Sequence, residues 1–490
     1  MSDKIIKVKN GTKHMRAGWT RITIRGGPRE RGFAHGQLMK EEFDRIMVTQ
    51  DYVCMDSYGY DRKTLAAVIP ALYSETMKNK YPEVYEEIEG IHAGLRSRGS
   101  KYTLNDVILW NLFYTVGYIV SHLPELVHTN PELNEKYGHI FAEGGSASSH
   151  EGGAGDKCSA FMAVGDWTKD GKIVCAHNTF DNFIDAQFES VVLEIKPTKG
   201  HNLIMQTAPC QVSSGTDYYV AGNRFIVTET TIGGFMKFKL ADPITCRIRT
   251  AVQYANSLDE YDEILSDGNG GDYANSWLIG DTKTNEIMRI ELGLDYKKVE
   301  KKKNGYFIGY NAPTDAKIRN LECVNTGYRD IRRHQGARQV RLDQLMTKHK
   351  GKIDVERGQL ILADHYDVYL NKINMCSRTC CSHYELDDRA FMSQSTRPLP
   401  YQPRGAVDGC VTDSALAKNG AFTARWGTSC GTPFYAKAFC QRNIQWAEQE
   451  PYLLDRPHQP WALFRIGESQ GKSSRGRSHR SSSNKTRRRR

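Results

Sequence analysis

The chain has no apolar run approaching the roughly 20 residues that a membrane-crossing helix needs. Its opening residues, MSDKIIKVKNGTKHMR, are polar and basic and lack the apolar segment of a secretory signal, so an intracellular or already processed chain is expected. A disulfide framework is not expected either: the twelve cysteines scatter from Cys54 to Cys440 and, without a signal, read as thiols. One run, CSRTCCSH, crowds Cys376, Cys380, Cys381 and His383 together. A tetrahedral zinc site needs four ligands and no second pair of suitable spacing stands nearby, so free thiols or a local disulfide are expected there, and no metal or organic cofactor. Acidic residues are nearly missing from the end. Residues 467–490 hold nine basic residues and one acid, so the tail carries +8 of the net +10 and the body is almost neutral.

What is present is ordinary for a globular protein, 39% hydrophobic and 25% charged over 490 residues, enough for one large domain or two. Residues 1 to about 18 read as a loose basic arm, and GWTRITIRGG as a strand stopped by Gly26, Gly27 and Pro28. A helix is expected from Lys40 to about Thr49, and another from Thr103, where TLND sets Asp106 three residues after a capping threonine. The stretch 1–138 therefore reads as a mainly helical part. Residues 139–157, rich in Gly, Ser and Ala, read as a flexible loop. After it CSAFMAVGDW and KIVCAHNTF form two strands around Asp170-Gly171, a hairpin signal. Further hairpins, with a helical run from Pro243 to about Ser257, make 158–466 an α+β part with largely antiparallel sheets. The Ser/Arg-rich end, 467–490, is expected to be disordered and to contact solvent, an anionic membrane surface or nucleic acid.

A glycine-rich loop running straight into Cys158 raises a chemical possibility. A thiol serves acyl transfer only when a base takes its proton, and a cysteine at a new chain terminus carries one, its own α-amine of ordinary pKa about 8. That requires a cut between Lys157 and Cys158. The loop supplies the slack for it and the strand would hold the new terminus. Taken alone, Cys158 reads first as a small buried hydrophobe at a strand start.

CSAFMAV with GKIVCAHNTFDNF resembles the segment opening the catalytic part of the phospholipase B-like family. The motifs DYYVAGNRFIVTETTIGG, YANSWLIGD, YFIGYNAP, GAVDGCVTD and ARWGTSCGTPF resemble later segments of that family in the same order, over about Cys158 to Phe434. The resemblance implies the N-terminal nucleophile hydrolase fold, a four-layer αββα sandwich. It implies a self-exposed nucleophile at Cys158 with His177 lining the site. Asn275 becomes the candidate oxyanion donor, and Phe180, Thr230, Thr231 and Asn311 candidates for binding an acyl ester or amide of a lipid-derived or N-acyl substrate. Phe180 stands where the family has tryptophan. In FMSQSTRPLP, Gln394 or Arg397 would take the place of an active-site arginine. The relatives are lysosomal or secreted. RGGPRERGFAHGQLMKEEF resembles the acyl-CoA:6-aminopenicillanic acid acyltransferase group, also self-cleaving cysteine enzymes, although His35 there reads first as part of a turn before a helix.

Other readings stand beside this one. An N-acyl amide hydrolase or an acyltransferase would use the same nucleophile. GTSCG fits a G-x-S-x-G nucleophile elbow at Ser429, with the pair Asp455 and His458 following three residues apart. If the bond before Cys158 stays intact, the protein is a structural or binding component and not an enzyme.

Overall fold

The computed structural model describes residues 4–141, 158–390 and 400–468. Lys157, Gln394, Arg397, nearly all of the glycine-rich loop and nearly all of the basic tail lie outside the described residues. Two sheets dominate, one of ten strands and one of seven. Every pairing in them is antiparallel except one, where Trp19–Gly26 runs parallel to Val191–Pro197. The mixed α+β class expected from the hairpins is what forms.

Alternate residues of each sheet go to opposite cores, which explains why the strands are so apolar. Val192, Ile204, Val220, Ile226 and Leu278 of the first sheet share a core with Ala160, Met162, Cys175, Cys410 and Phe422 of the second. The first sheet's other face, with Ile24, Leu193, Met205 and Trp277, packs on helices through Phe43, Ile88, Ile91 and Ile248. The second sheet's other face, with Phe161, Ala176 and Val411, packs on Leu342, Leu345 and Leu362 of helices His334–Lys348 and Val355–Leu362. A strand covered on both sides has no solvent face to mark with polar residues, so CSAFMAV is buried along its whole length.

The N-terminal region is not helical alone. The residues read as a loose arm form strands Ile6–Val8 and Gly11–Arg16, which extend the first sheet. The helix expected from Lys40 begins at Pro28 and runs to Tyr58, so His35 lies inside it and not in a turn. The glycines that looked like turn formers are contact points. A Cβ on Gly32 or Gly36 would lie 2.1 Å from the Glu87 or Ile91 carbonyl oxygen of helix Pro82–Ser97, and Gly90 and Gly94 of that helix meet Arg29 and Phe33 as closely. Buried Glu87 then pairs with Arg31 at 2.6 Å and with Arg249 at 3.1 Å, tying three helices. The Thr103 cap forms as expected, with the Thr103 amide donating to Asp106 Oδ2 at 2.7 Å. Among the described residues no single helix is long and apolar enough to cross a membrane.

Those helices also support a buried loop. Residues 208–218 are buried throughout, and a buried loop must find partners for its backbone away from water. Helix side chains supply them. His35 Nε2 accepts from the Cys210 amide at 3.1 Å, Asn111 Oδ1 from Val212 at 2.8 Å, and Trp110 Nε1 donates to the Pro209 carbonyl at 2.8 Å.

The glycine contacts give a test. Gly36→Ala gains about 1 kcal/mol of helix propensity but drives a methyl into a backbone carbonyl that cannot swing aside. A net loss of about 1–2 kcal/mol in urea unfolding is expected, and an unchanged midpoint would contradict this helix contact.

Candidate functional site

Cys158 is the first residue of strand Cys158–Val164 and is buried. On one side it pairs with Thr179 of Val174–Asn182. On the other, strand Gly305–Gly309 pairs as far as Gly309 with Ala160 and then ends. Continued in register, the next partner of Cys158 would be Asn311, but Asn311 sits in the left-handed region with φ 66° and breaks the ladder. Its side chain takes over: Asn311 Oδ1 accepts from the Cys158 amide nitrogen at 3.1 Å, while Nδ2 donates to the Thr231 carbonyl at 2.8 Å. Arg338 holds this arrangement from the helix side. It donates to the Cys158 carbonyl, to Ser159 Oγ at 3.2 Å and to Asn311 Oδ1 at 2.8 Å.

The thiol points toward an opening in the first sheet. Strand Tyr219–Ala221 is short, and its pairing with Phe225–Thr231 ends at Val227, so residues 228–231 pair only with Asn275–Asp281. Into that gap Glu229 brings a carboxylate 3.9 Å from Cys158 Sγ. The Tyr273 hydroxyl lies 3.1 Å from Glu229, 2.9 Å from Asp217 and 3.2 Å from Thr231 Oγ1. Burial, with Asp217 and Glu229 nearby, pushes the Tyr273 phenol far up, so it stays a neutral donor. Asn275 is directly opposite Thr231 and therefore on the face that carries Glu229. It is fully buried, and neither atom of its amide has a partner among the described residues. A small hollow lined by Tyr114, Thr115, Ser213, Asp217 and Tyr273 adjoins this cluster. A second hollow lies among the helices, around Met47, Leu65, Trp110 and Phe113, and none of these site residues lines it.

The remaining expected residues divide. Thr230 faces the second sheet, with its Cγ2 2.3 Å from where a Cβ on Gly309 would stand. His177 is opposite Ala160, which makes it the diagonal neighbour of Cys158 on the same face. It is fully buried, and the polar group that acts on its ring is the Glu229 backbone. Burial pushes its pKa down to about 3, the Glu229 backbone opposing this. Phe180 is not at the thiol; it packs with Cys381 and Ala406 on the other face, and the Arg338 guanidinium carbon lies 5.1 Å from its ring centre. Asp408, in the Gly-x-x-Asp motif, accepts from the Thr179 amide at 2.9 Å and so braces the strand beside Cys158; burial lifts its carboxyl to about 6. Ser429 makes no elbow. Its hydroxyl donates to the Leu362 carbonyl at 2.9 Å, while His458 bonds the Gly431 carbonyl and Asp455 caps Ala436.

Sequence reasoning missed Arg338, Glu229 and Tyr273. Arg338 carried one usable signal: with Leu342 and Leu345 it follows the helical period that faces the core, where an apolar residue would be ordinary.

A histidine held neutral in the fold takes up its proton only in the unfolded chain as pH drops through the ordinary 6.5. Its burial therefore costs stability progressively below that pH, by about 1.4 kcal/mol per unit down to the folded value. Comparing wild type with His177→Asn isolates this from His35 and Asp408. The wild type's advantage in unfolding free energy should shrink by about 1.4 kcal/mol per pH unit between pH 6 and 4. A constant difference would contradict a neutral buried His177.

The Phospholipase B family model matches residues 62–292, a span that contains Cys158, His177, Phe180, Thr230, Thr231 and Asn275 and stops short of Asn311 and Arg338. A protein named phospholipase B-like 2 from Rattus norvegicus is 24% identical over 351 residues, 62% of this chain and 59% of its own. Phospholipase B from Crotalus adamanteus is 27% identical over 255 residues, 46% of this chain and 43% of its own. The chain thus spans about half the length of these relatives. A structure of a conjugated bile acid hydrolase variant from Clostridium perfringens overlaps 55% of this chain and 89% of its own, with 12% identity and a TM-score of 0.29, an overlap too loose to assign a fold. Motifs, family match and named relatives agree in direction: over residues 62–292 this chain is similar to the phospholipase B family.

Proposed function

We propose that the protein is a cysteine N-terminal nucleophile hydrolase that cuts its own chain before Cys158 and then hydrolyses acyl ester or amide bonds of lipid-derived substrates. The observation that carries the reading is the hold on the Cys158 amide nitrogen by Asn311 Oδ1, itself fixed by Arg338. A side-chain acceptor keeps hold of the same nitrogen after the preceding peptide bond is broken, when it becomes an amine. The stacking of helices, sheet, sheet and helices also fits the αββα sandwich such enzymes use.

In this mechanism the Cys158 thiol attacks the Lys157 carbonyl, the acyl group moves from nitrogen to sulfur, and water clears the thioester, leaving Cys158 as a new terminus. The α-amine, anchored by Asn311 and beside the Arg338 guanidinium, is disfavoured in its charged form, so its lone pair is free to take the thiol proton. The thiolate attacks the substrate carbonyl. The unpartnered amide of Asn275 donates to the developing oxyanion. Collapse expels an alcohol or amine carrying the proton from the α-amine, and water releases the acid. Tyr273, bonded to Glu229 and Thr231, stays a neutral donor beside the thiol, and His177 stays neutral on the neighbouring strand. The basic tail, outside the described residues, is proposed to bring the enzyme to anionic lipid surfaces.

Mass spectrometry of the denatured protein should find fragments of 157 and 333 residues in the wild type and one full-length chain in Cys158→Ala. A wild type that stays whole after prolonged incubation at mildly acidic and neutral pH would refute self-processing and favour a non-catalytic protein. Asn275→Ala should still be cut but lose about 10²–10³-fold in kcat on a fluorogenic acyl ester. A loss confined to KM would remove Asn275 from the oxyanion role.

A further inference from the structure

The CSRTCCSH run, unpromising for metal on spacing alone, is completed in space by two residues far along the chain. His365 follows the helix Val355–Leu362, and Cys430 lies in the GTSCG turn after strand Ala421–Trp426. One ligand atom each from His365, Cys381, His383 and Cys430 falls within 4.8 Å of the others. We propose that these four residues bind a structural zinc ion.

The distances carry the argument. His383 Nε2 lies 3.2 Å from His365 Nε2, 3.4 Å from Cys381 Sγ and 3.5 Å from Cys430 Sγ. Zinc bonds of about 2.0 Å to nitrogen and 2.3 Å to sulfur at tetrahedral angles put two ligand nitrogens about 3.3 Å apart and a nitrogen and a sulfur about 3.6 Å apart. The edges measured here match both values. The ring is also oriented as a zinc ligand's ring is: His383 Nδ1 lies 2.7 Å from Glu385 Oε1, a carboxylate that fixes the tautomer and turns Nε2 toward the other three ligands. Two thiolates and two imidazoles form a donor set suited to zinc, and binding would release the two thiol protons. Four protein ligands leave no open position, so the ion's role is to hold structure and not to activate water.

Its place in the fold says what it holds. Cys381 packs against Phe180, the Ala406 amide donates to the Ser382 carbonyl, and Asn178 Nδ2 donates to the Cys380 carbonyl and Ser429 Oγ. Asn178 and Phe180 flank Thr179, the partner of Cys158. The ion would therefore clamp three separate loops behind the strand that faces the candidate nucleophile. This inference stands whether or not the chain is a hydrolase.

The test is elemental analysis of the full-length protein, expressed with added zinc and purified without chelator. About one zinc per chain is expected in the wild type and in Cys54→Ser, a cysteine outside the cluster, and less than a fifth of that in Cys430→Ser and in His365→Ala. Should those variants fail to fold, the wild type refolded with cobalt(II) in place of zinc decides. Intense visible absorption between about 600 and 750 nm, with sulfur-to-cobalt charge transfer in the near ultraviolet, is expected for a tetrahedral S₂N₂ site. Wild-type protein without stoichiometric zinc, cobalt protein showing only weak octahedral bands, or a mass deficit locating a Cys381–Cys430 disulfide would each overturn the proposal.

Discussion

A buried backbone N–H at the end of a strand must be given an acceptor, and at Cys158 that acceptor is a side chain. Everything around the candidate nucleophile follows from this. Asn311 reaches the amide only because the neighbouring strand stops at Gly309 and turns through a left-handed residue. The Asn311 amide keeps its orientation because its nitrogen is spent on Thr231 and its oxygen is shared with Arg338. Arg338 in turn is positioned by a helix packed on the outer face of the second sheet. One hydrogen bond thus joins two sheets and a helical layer, and no single element of the three could supply it.

The opposite design governs the gap on the thiol's other side. Where strand Tyr219–Ala221 runs out, the first sheet leaves residues 228–231 paired on one edge only. Such an edge in water would invite unwanted pairing. Here it is buried and filled with polar side chains, Glu229, Thr231, Asn275 and Tyr273. Most of these groups satisfy one another; Asn275 does not. An unpaired buried amide costs about 1–3 kcal/mol, a cost a fold tolerates where a partner arrives with the substrate.

Much of this was legible in the sequence, for local reasons. The Thr103 cap and the hairpins announced themselves because turn and cap chemistry depends on neighbouring residues, although the first hairpin closes through the 3₁₀ turn Gly165–Trp167 and a bend over 169–172 and not through a two-residue Asp170-Gly171 turn. The motifs placed Cys158, Thr231, Asn275 and Asn311 in one region, since each sits at a strand end that leads into it. What was hidden depended on distant packing. The glycines of RGGPRERGFAHG mark turns in most contexts, and only the facing Gly90 and Gly94 turn them into a helix contact. Arg338 lies 180 residues from Cys158, in a helix with no motif of its own. Cys430 completes the set around His383 across a separation that no metal-binding spacing covers.

The parallel pairing of Trp19–Gly26 with Val191–Pro197 has a further consequence. It joins a three-stranded edge from before residue 158 to the seven strands from after it, and helix side chains from the same early region hold the buried loop 208–218 in place. A chain broken ahead of Cys158 would not come apart. Its two pieces would migrate as one particle, share one unfolding transition and betray the missing bond only once denatured.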